Sequence, residues 1–289
     1  MGMRPARVLA MAEVAGHFGE FLQGRLGPGG PLALVTLPAS DLRATALLTP
    51  GGFGVYCPGE HPPLGRGQAG ALCRAVTAGP PFGRLLLRAG MPVGGGAGSS
   101  TAALLAAAAA YAIAAGRSLP APDRLAQLCL ALEGATDPLM HPDPGRLLWA
   151  PREGRILARL PALPRLDVVG GFLGPGRRTD PGDLHFPDIT DLVAAWPEAA
   201  ARGDLAALAA LSTESARRTV RWRGELPLEP MLATAARLGA LGVAAAHTGS
   251  ARGLIFAPGA VPVAAAAELS AIGLRRIARF RLAEPTRAR

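Results

Sequence analysis

Pro92-Val93-Gly94-Gly95-Gly96-Ala97-Gly98-Ser99-Ser100-Thr101-Ala102 joins a glycine-rich turn to an alanine-rich helix. Glycines let the backbone take positive φ and come close to a ligand. The turn ends at a helix N-terminus, where unpaired N–H groups and the helix dipole favour a polyanion. Ser99, Ser100 and Thr101 supply hydroxyls for capping, and one of them is suited to a Mg2+ ion. A short G-x-G would read as an ordinary capped turn. The longer pattern points to phosphate binding by Pro92, Gly94, Gly95, Gly96, Ala97, Gly98, Ser99, Ser100 and Thr101. It is not a Walker A loop, because no Lys follows the last glycine. Nor does it match the dinucleotide fingerprint, since three hydroxyl residues open the helix.

Outward from this loop the chain alternates strand-like and helix-like stretches. Residues 84–88 read as a strand leading into the loop, and residues 32–37 and 44–48 as strands bounded by turn residues. Residues 68–78 and 122–132 read as helices; in the second, Leu125, Leu128, Cys129 and Leu132 line one buried face. Residues 138–154 read as Pro- and Gly-rich irregular chain. A strand at 166–172 opens a second unit, which continues with helices at 204–218 and 228–241 and strand-like runs at 242–246 and 253–256. A boundary near 155–165 is expected, dividing the chain into units 1–160 and 161–289.

The 289 residues are 49% apolar and 18% charged, which excludes disorder as the main state. Cys57, Cys73 and Cys129 form no C-x-x-C pair, which excludes a zinc ribbon and fits a reducing compartment. The net charge is +9, and all 30 basic residues are Arg. A chain without Lys cannot form a Schiff base. The high arginine and alanine content is also what a GC-rich coding sequence produces. The arginines are scattered, aromatics are 4% of the chain, and Trp149, Trp196 and Trp222 form no stacking array, so no nucleic-acid partner is expected. The densest basic group, Arg217, Arg218, Arg221 and Arg223, reads as a solvated helix face. His61, His141 and His185 read as surface or turn residues. Apolar run 102–115 has 14 residues, against about 18–20 for a bilayer span, and Glu13 interrupts the N-terminal apolar stretch. No membrane association and a cytoplasmic location are therefore expected.

Two acidic residues follow the third predicted helix, in Glu133-Gly134-Ala135-Thr136-Asp137. Four residues apart, they would share a face on a continuing helix. Gly134 and Pro138 instead favour a helix end that aims both carboxylates at one point. Two further glycine-bearing motifs flank the chain: Gly16-His17-Phe18-Gly19-Glu20-Phe21-Leu22-Gln23-Gly24 and Ala246-His247-Thr248-Gly249-Ser250-Ala251-Arg252-Gly253-Leu254. Glu20 reads as lying in a glycine-flanked turn, suited to a ribose, a substrate ammonium or the second unit. His17 reads as a packed or capping histidine. Arg252 reads either as a clamp for a substrate carboxylate or as a buried strand residue.

With its central loop, this ordered set of motifs resembles the GHMP kinases, the family of galactokinase, homoserine kinase, mevalonate kinase and phosphomevalonate kinase. Within them it is most similar to the L-threonine kinases of cobalamin synthesis and propanediol utilisation. That similarity rests on Gly16-x-x-Gly19-Glu20-x-x-Gln23-Gly24, Ser99-Ser100-Thr101-Ala102, the run 128–133 and His247-Thr248-Gly249-Ser250. The glycine-rich loop is closer to the general family form than to the threonine kinases. The resemblance implies an α+β, two-domain GHMP kinase fold, with a ribosomal protein S5 domain 2-like N-terminal domain and a ferredoxin-like C-terminal domain. It implies ATP and Mg2+ as cofactors and a small hydroxylated substrate, L-threonine first, with homoserine or another small alcohol as the alternative. A homodimer is left open, as is a kinase-fold protein that binds nucleotide without catalysis. By the same resemblance Ser100 and Glu133 would hold Mg2+, and Asp137 would orient or deprotonate the substrate hydroxyl. Glu20, Thr248, Gly249 and Ser250 would face the substrate. A Lys or Arg assists the base in several family members; with no Lys here, only an Arg could do so, and the sequence singles none out.

Overall fold

The computed structural model describes residues 7–58, 62–177, 179–224 and 227–282. His61 lies outside them. In chain order the elements are β1 (Ala10–Arg25), β2 (Leu32–Thr49), β3 (Gly54–Tyr56), α1 (Arg66–Thr77), β4 (Arg84–Ala89), α2 (Ser99–Ala114), α3 (Pro122–Glu133), β5 (Leu147–Ala150), β6 (Arg155–Arg159) and β7 (Leu166–Phe172). The remainder are α4 (Thr190–Ala201), α5 (Leu205–Arg223), α6 (Glu229–Leu238), β8 (Gly242–Ala245), β9 (Ala251–Phe256), α7 (Ala265–Ala271) and β10 (Arg275–Leu282). The described strands form one sheet in the order β10-β7-β9-β8-β1-β2-β4-β3, with β5 and β6 branching from β2. It is antiparallel apart from the β3–β4 pair. This is the α+β class expected.

The helix ends follow local chemistry. Pro122 opens α3, Asp123 sits in its first turn, and Gly134 closes it in the left-handed conformation. Asp204 caps α5 by accepting from the Ala207 N–H, and Gly224 ends it. Helix α2 is apolar on all sides and buries 12 residues, as a helix enclosed by protein must. Its alanines let it lie close against β1, β2 and α1.

Several stretches differ from the sequence reading. The glycine motif 16–24 is not a turn; it belongs to the 16-residue strand β1, which carries bulges near Gly16, Glu20 and Leu22. Glu20 is therefore a strand residue. Its neighbour Gly19 has φ +70°, and a Cβ there would come 2.8 Å from the Ala246 nitrogen. The irregular chain expected at 138–154 holds a 3-10 turn, Pro144–Arg146, and strand β5, whose Trp149 is fully buried. Helix α4, with Pro197 inside it, had no counterpart in the sequence reading. The segment 160–165, where a boundary is expected, is irregular. The sheet nevertheless runs across it, because β1 pairs with β8 at Glu20↔Ala245.

Phe18 anchors the core where the two halves of the chain meet, in ring contact with Phe172 at 5.5 Å and Phe280 at 5.3 Å. Phe21 meets Trp196 at 5.3 Å. Burying side chains of this size stabilises by about 1.5–3 kcal/mol each. None of the described helices is long and apolar enough to cross a membrane.

Candidate active site

A cleft of about 330 Å3 lies between the start of α2, the α3–β5 connection, β1 and the turn after β8. The glycine loop forms its floor. Gly98 caps α2 in the left-handed conformation, φ 66°, and no side chain caps that helix start. The loop is fixed to β1: the His17 N–H donates to Ala97 O at 3.2 Å and the Gly19 N–H to Gly96 O at 2.9 Å. From the other side, the Ala251 N–H donates to Gly95 O at 2.9 Å.

Gly94, Gly96, Ala97, Gly98, Ser99, Ser100 and Thr101 line the cleft, together with Glu20, Glu133, Asp137 and Thr248. Pro92, Gly95, Gly249 and Ser250 stand behind that wall. Pro92 O accepts from the Gly95 N–H at 3.1 Å. Gly249 packs on the loop backbone so closely that a Cβ would come 2.2 Å from the Gly96 nitrogen. Ser250 is buried, and its carbonyl accepts from the Leu173 N–H. The hydroxyl of Thr248 meets that of Thr179 at 3.3 Å.

Both acidic residues line the cleft, each against α2. The Ser100 hydroxyl donates to Glu133 Oε1. The Asp137 N–H donates to Thr101 Oγ1 at 3.3 Å. Trp149 fixes this connection from below, donating its indole N–H to Thr136 O at 2.7 Å.

His17 is a site residue that sequence reasoning missed. It is 1% exposed; its Nε2 lies 3.2 Å from Asp137 Oδ2, and its Nδ1 lies 3.2 Å from Gly19 O and 3.7 Å from Glu20 Oε1. Both ring nitrogens thus face acceptors, which is the environment of an imidazolium. Burial opposes that charge, but Asp137 and Glu20 outweigh burial and raise the His17 pKa to about 9. Burial likewise pushes the Asp137 carboxyl up; the charge and contact of His17, with Thr101, hold it below the ordinary range. Glu20 goes the other way: burial, only partly countered by His17, raises it to about 7. The available signal was position. His17 is the basic residue inside the first motif, and Arg was not the only cation able to accompany the base.

Arg252, considered for a substrate carboxylate, is 4% exposed and donates through Nη1 to Ala246 O, Gly249 O and Ala251 O. It braces the turn instead of facing the cleft. Arg152 and Arg177 line the cleft. The Arg177 N–H donates to Gly94 O at 2.8 Å, behind the glycine loop. Arg152 Nη2 donates to Asp180 O at 2.8 Å and Asp183 O at 3.4 Å. In the basic group on α5, Arg217 and Arg221 are exposed, as a solvated face requires, while Arg218 pairs with Asp191 and Glu214, and Arg223 pairs with Asp183 and donates to His247 Nε2 at 2.7 Å. His247 stacks on Phe186 at 3.8 Å; burial and Arg223 lower its pKa to about 3, so it is neutral.

Residues 67–140, from α1 through the α3–β5 connection, match the model of the GHMP kinases N terminal domain. The chain has the GHMP kinase fold. Mevalonate kinase from methicillin-resistant Staphylococcus aureus superposes with TM-score 0.65 at 16% identity, over 94% of this chain and 98% of that one. Homoserine kinase from Cytophaga hutchinsonii gives TM-score 0.61 at 12% identity, over 98% and 97%. A 4-(cytidine 5'-diphospho)-2C-methyl-D-erythritol kinase gives 0.59 at 25% identity, over 96% and 98%. No curated protein matches the sequence. The matched span contains the glycine loop, Glu133 and Asp137, so the likeness to the GHMP kinases N terminal domain covers the segment that forms the cleft floor.

Proposed function

We propose that the chain is an ATP-dependent phosphotransferase acting on a small hydroxylated substrate, with L-threonine as the first candidate and O-phospho-L-threonine as its product. The observation that carries this is the juxtaposition, in one cleft, of an uncapped helix start, the Ser100–Glu133 pair and the Asp137 carboxylate. The free N–H groups of α2 suit the phosphates of ATP. The Ser100 hydroxyl and the Glu133 carboxylate are hard oxygen donors in contact, the donor set that Mg2+ takes. Held by Ser100 and Glu133, such an ion would supply positive charge against the charge that develops on the transferred phosphoryl group.

The protein's own contribution is positioning. Asp137 accepts a hydrogen bond from the substrate hydroxyl and aims its oxygen at the transferred phosphoryl group. A carboxylate held below its ordinary pKa is a weak base in the resting site, so Asp137 orients first and takes the hydroxyl proton as the new O–P bond forms and the bond from the γ-phosphorus to the departing ADP breaks. His17 is the positioning cation and keeps Asp137 ionised and aligned. Glu20 and Thr248 border the acceptor end. The preference for L-threonine over homoserine is drawn from the likeness of the first and last motifs, residues 99–102 and the run 128–133. The two-domain division at residue 160 is likewise our reading. An ADP-release assay with L-threonine, L-serine, L-homoserine, mevalonate and galactose tests the proposal. Stimulation by L-threonine above the others is expected. No stimulation by any of them refutes the phosphotransferase, and stimulation by homoserine alone replaces the substrate.

A further inference from the structure

We propose that Phe186 is a specificity-determining wall of the acceptor end: its ring limits the substituent on the carbon bearing the reacting hydroxyl to about the size of a methyl group. This rests on the phosphotransferase reading and names the acceptors that the same cleft takes, compact hydroxyl compounds, and those it turns away.

Phe186 belongs to the strap, residues 179–187, that leads from β7 to α4. It lines the cleft with Glu20, Asp137 and Thr248, and it is the one phenyl ring among the described lining residues. Its contacts fix its place. The ring stacks on His247 at 3.8 Å. The His247 backbone N–H donates to the Glu20 carboxylate. Glu20 faces His17, and His17 faces Asp137. The ring therefore stands at the end where the hydroxyl is received. Gln68 on α1, which donates to Leu132 O on α3, belongs to another rim of the cleft.

The wall is rigid. His247 Nε2 accepts from Arg223 Nε at 2.7 Å, so the neutral imidazole carries its proton on Nδ1, which meets Thr219 Oγ1 at 3.2 Å. The Arg223 guanidinium lies 5.4 Å from the centre of the Phe186 ring and pairs with Asp183. The strap backbone is pinned on both sides of the ring. Arg152 Nη2 donates to Asp180 O and Asp183 O, Arg25 Nη2 to Leu184 O at 2.8 Å, and the Arg25 N–H to Pro187 O at 2.8 Å. An acceptor with its hydroxyl at Asp137 and its charged groups on polar partners has only its hydrocarbon part left for this surface. A methyl group gains by touching the ring. A larger group overlaps it, and overlap against a fixed wall is costly.

The test sets L-threonine against L-threo-3-phenylserine, which differs only in carrying a phenyl group where L-threonine has its methyl. Wild-type protein, Phe186→Ala and Phe186→Leu are assayed by ADP release, and melting temperature reports on folding. Wild type should turn over L-threonine and not the phenyl compound. F186A should lose on the order of 10-fold in kcat/KM for L-threonine and gain on the order of 10-fold or more for phenylserine, whose ring fills the vacated space. The KM for Mg-ATP should stay within about 3-fold. F186L should shift the ratio the same way by less, and it carries the comparison if F186A does not fold. If another acceptor stimulates wild type in place of L-threonine, that compound and its analogue with a phenyl group on the carbinol carbon take the two places. An unchanged ratio in the variants, or turnover of the phenyl compound by wild type, overturns the wall and leaves the phosphotransferase standing. A wild-type protein that no hydroxyl compound stimulates removes both readings.

Discussion

Replacing His17 by Gln removes an imidazolium wedged between two carboxylates while keeping a polar side chain. The wild-type pKa rises from 6.5 to about 9. That is about 2.5 units, and at 1.36 kcal/mol per unit the extra affinity for a proton in the folded state is about 3 kcal/mol. The folded pKa lies above the unfolded one, so this stabilisation is complete below pH 6.5 and is lost as pH rises through about 9. Glu20 adds a lower step of the same sign. Its pKa rises from 4.5 to about 7, so stability is present below 4.5 and is lost as pH climbs through 7. Asp137 faces the same cluster with the opposite sense: its depressed pKa contributes above the ordinary carboxylate range and is lost in acid. Urea unfolding between pH 6 and 10, with ΔG extrapolated linearly, measures the upper step. Wild-type protein should lose about 3 kcal/mol more than H17Q between about pH 6.5 and 9. H17Q should already be destabilised at pH 6.5, because Asp137 then lacks its charge partner. Parallel curves for the two proteins across that interval would refute an extra proton on His17.

Three further outcomes follow from the cleft. Ser100→Ala and Glu133→Ala should each lower Mg-ATP turnover by about 100-fold or more; near-normal rates in both at saturating Mg-ATP would remove the metal assignment. Asp137→Asn should slow single-turnover phosphoryl transfer by about 10²–10⁴-fold while shifting ATP affinity by less than about 3-fold; a large affinity loss with the rate intact would move the residue to the nucleotide. Gly249→Ala must displace the Gly96 backbone, since the new Cβ would lie 2.2 Å from its nitrogen. It should cost about 1–3 kcal/mol and weaken ATP binding; wild-type melting temperature and affinity would contradict that packing.

The parts of the fold that were legible carry their causes locally. Helix α3 announces itself by Pro122, Asp123 and Gly134, and the start of α2 by three hydroxyl residues after Gly98. Strand β1 was misread because its glycines look like turn residues. Their cause is tertiary: a Cβ at Gly16 would meet Ala97 O at 2.5 Å and one at Gly24 would meet Pro187 O at 2.5 Å. Helix α4 was hidden by Pro197, which reads as a breaker although the helix continues through it. The segment 138–154 looked irregular because the four residues of β5 are framed by Pro and Gly. At the site, loop residues Gly94 and Gly96 to Thr101, and both carboxylates, were readable from spacing, because all lie within one contiguous stretch of chain. The partners His17 and Arg152 were not. Each reaches the cleft from a separate strand or strand end, and the sequence alone would as readily have offered Arg252.

The backbone bonds that tie residues 95–97 to β1 and to Ala251 make the cradle a shelf of the sheet and not a flap. A shelf is finished when the chain finishes folding. An arriving nucleotide would then surrender its own freedom but demand none from the polypeptide beneath it, and binding would be gated by diffusion and shape, with no wait for a loop to find its form.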